Sequence, residues 1–370
     1  MKKLQFAMVG GGNGALIGDI HRIGAQFDDL AELKAGCFSR HWDKNLEAGE
    51  KWGVEPGRIY PDYHTMLEEE AKRTGEDRLD FVVVATPNNT HYEIVKDIIA
   101  HGFHIVCDKP VTFTSRESEE LKALAQEKDL LFGVSYSYAH YAILEQAKKM
   151  IADGVLGKIH TIAAEYPQEW VGLNTALRGK DGLTWRVDPA ICGPSGVIAD
   201  IGTHVEYLIS KVTGLKPVRV LARLRSIPDY VPVESDAQVL IDYDNGAAGI
   251  FWTSFAMVGK SCCMKVRIYG DKGGMEWNAH DFMELRVDIA GQPTQIWSAN
   301  YDYCDPQARK SCRLPKGMPE AFHSLFANFY RGYCSHLLSR KEGKDERPFP
   351  YSDIDDGIQG LKFIEACLKS

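Results

Sequence analysis

Leu4-Gln5-Phe6-Ala7-Met8-Val9-Gly10-Gly11-Gly12-Asn13-Gly14-Ala15 joins a short apolar run to a glycine cluster, and a helix-compatible segment follows. Strand, glycine turn, helix is the context in which G-x-G-x-x-(G/A) holds a dinucleotide pyrophosphate. Gly10 permits the tight turn, and Gly12 lets the backbone approach the phosphates with no Cβ in the way. Ala15 is small enough for the helix to sit close to the strand. Asn13 and Gly14 complete the loop, whose N–H groups and positive helix end face the anion. Glycine runs also make ordinary turns, so the preceding strand supplies most of the specificity.

Outward from this turn, the first third alternates apolar strands with amphipathic helices. Strands are expected at Leu4–Val9, Glu32–Phe38, Asp80–Thr86, Phe103–Cys107 and Leu131–Ser135. Helices are expected at Ile17–Phe27, Trp42–Gly53, Tyr63–Ala71, His91–His101 and Ser115–Lys128. Such alternation predicts an N-terminal Rossmann-type, doubly wound parallel sheet over residues 1–135. The second part, residues 136–370, changes texture. A helix at Tyr141–Asp153 and a strand at Lys158–Trp170 lead into a loop rich in Gly, Arg and Asp, then a helix at Thr203–Thr213. Strands follow at Val218–Ile227, Ala237–Tyr243, Ala247–Phe255, Lys265–Tyr269 and Leu285–Ile289, with a hairpin turn at Asp244-Asn245-Gly246. This is the pattern of an open, mostly antiparallel sheet. Helices at Pro319–Arg340 and Ser352–Ser370 complete the second part and are expected to pack back on the first domain.

Composition narrows the function. The 370 residues are 44% hydrophobic and 25% charged with a net charge of −8, which disfavours a general nucleic-acid or anionic-membrane binder. No apolar run approaches the ~20 residues that span a bilayer. The apolar stretch after Met1-Lys2-Lys3 breaks at Gly10, so a cytoplasmic protein is expected. Nine cysteines, none in a C-x-x-C pair, read as reduced thiols, and no tetrahedral ligand spacing suggests a metal site.

Four clusters carry the chemistry. Ser39 and Arg40, at the end of the second strand, offer a hydroxyl and a cation where an acidic residue would grip an adenosine ribose. They favour the 2′-phosphate of NADP, while a serine remains compatible with NAD. Thr86-Pro87-Asn88, with His91 shortly after, lies at the carboxyl end of the Val-Val-Val strand, where open α/β sheets bind ligands; helix capping alone also explains these residues. Asp108-Lys109-Pro110 ends the next strand and aims an ammonium at the same edge. Asp200 and His204 are four apart, which puts them on one face of a helix beginning near residue 198. A carboxylate beside an imidazole orients it and raises its basicity, as a general base requires. Capping by Asp200 and metal binding by the pair are the competing readings. Trp185 and Arg186 precede this cluster in a loop suited to a cofactor or substrate. Tyr136, Tyr138, Tyr166 and Gln168 are candidate sugar contacts that fit a core equally well. His21 reads as structural.

In this order the clusters resemble the glucose-fructose oxidoreductase / inositol dehydrogenase / rhizopine-catabolism family, Gfo/Idh/MocA, over essentially the whole length. The family's Glu-Lys-Pro appears as Asp108-Lys109-Pro110. Its Gly-Gly-x-x-x-Asp-x-Gly-x-His appears from Gly196 to His204, with Ser195 in place of the first glycine. The resemblance implies an NAD(P)-dependent oxidoreductase acting on a secondary hydroxyl of a sugar, a glycoside (C3 of a glucoside included) or an inositol. It implies that Lys109, Asp200 and His204 surround the carbon that gives up hydride, with His204 as acid/base and Lys109 stabilising the alkoxide. A homo-oligomer, dimer or tetramer, through the open sheet is also implied. An NAD-dependent glycoside hydrolase working by transient oxidation is the alternative, and a non-catalytic dinucleotide sensor stands behind it.

Overall fold

The computed structural model describes residues 2–320 and 322–370. They group into two compact units, Met1–Ser137 with Phe322–Ile358, and Tyr138–Ala321 with Gln359–Ser370.

In the first unit, β1 (Leu4–Gly10), β2 (Ala31–Cys37), β3 (Phe81–Ala85), β4 (His104–Cys107) and β5 (Phe132–Val134) form a sheet in the order β2-β1-β3-β4-β5, with every pair parallel. Strands covered on both faces need continuous apolar sequence, and β3, Phe-Val-Val-Val-Ala, is buried at every position. Helices α1 (Leu16–Gln26), α2 (Trp42–Lys51), α3 (Tyr63–Ala71), α4 (His91–Ala100) and α5 (Ser115–Glu127) connect the strands. A capping box starts α5, with Thr114 accepting from the Glu117 N–H and Glu117 accepting from the Thr114 N–H. The His323–Lys341 helix packs on α1 so closely that a Cβ on Gly24 would lie 2.6 Å from Phe326 Cβ.

The second unit carries α6 (Ala142–Ala152), β6 (Ile159–Pro167), α7 (Trp170–Arg178), α8 (Pro189–Cys192) and α9 (Thr203–Thr213). After these come β7 (Pro217–Arg225), β8 (Asp236–Tyr243), β9 (Ala248–Ser254), β10 (Lys265–Gly270), β11 (Gly273–Asn278), β12 (Glu284–Ile289) and β13 (Gln295–Ser298). The eight strands run in the order β13-β12-β11-β10-β6-β9-β8-β7, antiparallel throughout except for the parallel pair β6 and β9. The expected hairpin joins β8 to β9, with Gly246 at φ +86° and the Asn245 side chain accepting from the Ala247 N–H.

Several elements depart from the sequence reading. The strand expected over Lys158–Trp170 stops at Pro167, and the following segment is the helix α7, which buries Val171 and Thr175. The strands β11 and β13 were not foreseen. The first begins Gly-Gly, the second spans four residues, and neither shows a two-residue alternation long enough to stand out. The helix expected from Pro319 begins at His323, and Ala321 lies outside the described residues. Among the described residues no helix is long and apolar enough to cross a membrane.

On one face of the large sheet, Leu221, Leu240 and Ile250 stand side by side on β7, β8 and β9, and are 61%, 54% and 59% exposed.

Candidate active site

In the first unit the glycine turn is defined by how near its backbone comes to other backbone. The Gly12 N–H donates to the Phe38 carbonyl at 3.0 Å, and a Cβ on Gly12 would meet that oxygen at 2.7 Å. A Cβ on Gly18 would lie 1.9 Å from the Gly11 carbonyl oxygen, so the close approach of α1 depends on Gly18. The sequence reading gave that role to Ala15, which is half-buried, and overlooked Gly18. Space is open at Gly14, and Asn13 accepts from Lys51 at 3.3 Å. A glycine turn with open space at Gly14 and a helix starting just beyond it fits a dinucleotide pyrophosphate. Ser39 and Arg40 follow β2 beside Phe38. The Ser39 hydroxyl accepts from the His41 N–H at 3.1 Å, and Arg40 is exposed.

The ends of β3 and β4 are tied together from behind. The buried ring of His91 bridges two carbonyl oxygens, Nδ1 to Pro110 and Nε2 to Thr86, each at 2.9 Å. His91 has no accessible surface, so it is a clamp on these loops rather than the direct cofactor contact expected from sequence. Thr90 donates to the Thr86 hydroxyl at 2.7 Å, within the short Asn88–Thr90 turn that follows Pro87. Asp108 accepts from the Lys109 N–H at 2.9 Å and from the Ser135 hydroxyl, with His21 Nε2 4.0 Å away. Burial opposes ionisation of Asp108, but His21, Lys109 and Ser135 outweigh it and hold the carboxyl below its ordinary value. His21 is buried against the Tyr330 hydroxyl at 2.7 Å, a structural placement. Tyr136 is 1% exposed, a core position in its unit.

In the second unit Asp200 sits in a π turn, Ile198–Gly202, and His204 lies one turn on, in α9. The His204 ring is nearly buried and meets the Tyr138 ring edge-on, with centroids 4.9 Å apart. The Tyr166 hydroxyl donates to that of Tyr138 at 2.8 Å. Burial raises both phenols well above their ordinary value, so they act as neutral hydroxyls. Gln168 Nε2 lies 4.0 Å from Cys262 Sγ. The turn carrying Tyr138 is fastened to α9 by Lys211, whose ammonium donates to the Ala139 carbonyl at 3.0 Å and pairs with Glu145 at 2.7 Å. Trp185 and Arg186 form a short turn in which the guanidinium stacks over the indole at 4.6 Å. Thus the structure brings Tyr138, Tyr166 and His204 into one cluster, with Asp200 one turn before His204 in the chain. The sequence reading missed Glu234, whose carboxylate holds the residues just before Asp200. Its only signal was an acidic residue at the threshold of an apolar strand. Among the described residues no group of three His, Cys, Asp or Glu side chains suits a metal ion.

Comparison with known proteins agrees with this geometry. Residues 4–136 match the model of the oxidoreductase family with an NAD-binding Rossmann fold, and residues 144–276 match the GFO/IDH/MocA C-terminal domain. The oxidoreductase YfiI of Bacillus subtilis (strain 168) is 36% identical, over 100% of this chain and 95% of its own. The chain belongs to the Gfo/Idh/MocA family of oxidoreductases. This oxidoreductase is also similar to the solved structure of an inositol dehydrogenase homolog from Azotobacter vinelandii complexed with NAD+, at 35% identity and TM-score 0.94, covering 100% of this chain and 95% of that one. The same homolog complexed with NADH and myo-inositol gives 34% and 0.91, with the same coverage. The first unit is therefore an NAD-binding Rossmann domain, and the chain is an oxidoreductase.

Proposed function

We propose that this oxidoreductase oxidises a secondary hydroxyl of a cyclic polyol, an inositol or a sugar or its glycoside, and reduces the corresponding ketone in reverse. The observation that carries this reading is the nearly buried imidazole of His204, one turn after Asp200 and edge-on to Tyr138. The similarity to the A. vinelandii inositol dehydrogenase homolog supports inositols as the first class to test. A bound dinucleotide would supply the acceptor for hydride from the carbinol carbon. His204 takes the hydroxyl proton as the C=O bond forms, and Asp200 orients the imidazole. The Lys109 ammonium stabilises the oxygen as alkoxide character develops. Gln168 supplies a hydrogen bond to a neighbouring hydroxyl, and Trp185 and Arg186 flank the ligand. Tyr166, 1% exposed, is a core residue that backs the cluster through Tyr138 and not the sugar contact expected from sequence. Gly10, Gly12, Asn13 and Gly14 would hold the pyrophosphate, and Thr86, Pro87 and Asn88 would lie on the nicotinamide side.

A panel of inositols, sugars and glycosides, followed at the nicotinamide absorbance band with both cofactors, tests the activity. Reduced cofactor with a keto product is expected; free sugar released from a glycoside with no net NADH would point to hydrolysis instead. His204→Ala and Lys109→Ala are each expected to cut turnover by about 10²–10⁴-fold while leaving NAD binding within about threefold. Wild-type turnover in either variant would discard the mechanism. Arg40→Ala is expected to weaken NADP by about tenfold and leave NAD nearly unchanged, because only the 2′-phosphate needs the guanidinium. Equal effects on the two cofactors would remove that role.

We also propose that a second copy of the chain covers the Leu221–Leu240–Ile250 row. Three exposed apolar side chains in register on a sheet face are poorly placed in water, and a twofold axis would set the row against itself. Leu240→Asp should shift the mass measured by light scattering to that of a smaller species, and an unchanged mass would count against this interface.

A further inference from the structure

The sequence departs from its family at Ser195, and the structure gives this serine a partner. Glu234, 7% exposed, accepts three hydrogen bonds on one carboxylate oxygen: from the Ser195 hydroxyl at 2.6 Å, the Gly196 N–H at 2.9 Å and the Ile198 N–H at 3.2 Å. Its backbone carbonyl accepts from the Val197 N–H at 3.0 Å. The residues 195–198 are thus gripped by a single residue. A Cβ on Gly196 would meet the Glu234 carbonyl oxygen at 2.5 Å, which explains the glycine kept at that position. The grip passes directly to the catalytic segment. The Asp200 N–H donates to the Gly196 carbonyl at 3.0 Å, and the Thr203 hydroxyl donates to the Ala199 carbonyl at 3.0 Å beside His204.

Glu234 is itself held on the sheet. Ser235 donates its N–H to the Arg225 carbonyl at 2.9 Å, and the Asp236 carboxylate accepts from Arg225 at 2.6 Å and from the Trp252 indole at 3.0 Å. Burial pushes the Glu234 carboxyl above its ordinary value, against the pull of its three donors. A buried carboxylate is costly, and here it ends on backbone N–H groups at the start of a helical segment, where a negative group is favoured. Packing alone has no use for a carboxylate here.

We propose that the Ser195–Glu234 pair is the positioning device of the active site, fixing the π turn so that Asp200 and His204 keep the geometry of proton transfer. Its catalytic part rests on the role proposed above for His204; the anchoring part does not. In Glu234→Ala the turn loses its acceptor. We expect kcat to fall about 10- to 100-fold, as for a base displaced by a fraction of an ångström to an ångström, with NAD affinity unchanged within about twofold. Glu234→Gln keeps an acceptor oxygen and is expected to recover kcat to within about fivefold of the wild type. Ser195→Ala removes one of the three donors, and an intermediate loss of about threefold is expected without unfolding, which covers a Glu234→Ala protein that fails to fold. Hydrogen exchange followed by mass spectrometry over residues 194–204 reads the anchor without any substrate. Exchange should speed about tenfold or more in Glu234→Ala, modestly in Ser195→Ala and hardly at all in Glu234→Gln. Unchanged exchange in both Glu234→Ala and Ser195→Ala overturns the anchor. Faster exchange with wild-type kcat overturns its role in positioning. If the wild type oxidises no polyol, the proposed activity fails while the exchange data still decide the anchor.

Discussion

Backbone pressed against backbone, with no room for a side chain, is the constraint on which the nucleotide-binding unit depends. The approach of Gly12 to the Phe38 carbonyl and of Gly18 to the Gly11 carbonyl seats α1 at the end of β1. The turn is thereby held at the start of α1, a place suited to an anion. The neighbouring strand ends need a different device, because β3 and β4 finish in loops with few ladder bonds. A single buried imidazole, His91, supplies it by bridging the Thr86 and Pro110 carbonyls. Lys109 stands next to this clamp, so the ammonium extends from a fixed piece of backbone.

The second unit solves the same problem with charge. The turn that carries Asp200 and leads to His204 is held by the buried Glu234, and the turn that carries Tyr138 is held by Lys211. In both cases an ionisable group is buried where it meets backbone groups that need a partner. Rigid support of this kind suits the proton transfer proposed for His204.

Much of this was legible in the sequence, because it rests on local patterns. The apolar runs Leu4–Val9 and Phe81–Ala85, the glycine turn and the Asp-Asn-Gly hairpin each state their structure within a few residues. Asp108-Lys109-Pro110 and the Gly196–His204 segment stood out because their residues are close together in the chain. Partnerships between distant residues were hidden. Nothing near Ser195 in the chain announces Glu234, 39 positions away, and nothing near His91 announces Pro110. Gly18 was overlooked because the motif directs attention to Ala15, whereas the tightest contact falls one helical turn later. The strands β11 and β13 were hidden for a different reason, since short segments next to Gly or Pro acquire strand form only from their neighbours.

The central proposal is that the carboxylate of Asp200 and the imidazole of His204 serve one proton transfer. A double-mutant cycle on the single-turnover rate of hydride transfer, with Asp200→Asn, His204→Asn and the double variant, addresses it most directly. Groups acting together in one proton transfer predict a double variant scarcely slower than the slower single variant. Losses that simply multiply would show that the two side chains act independently and would contradict the account.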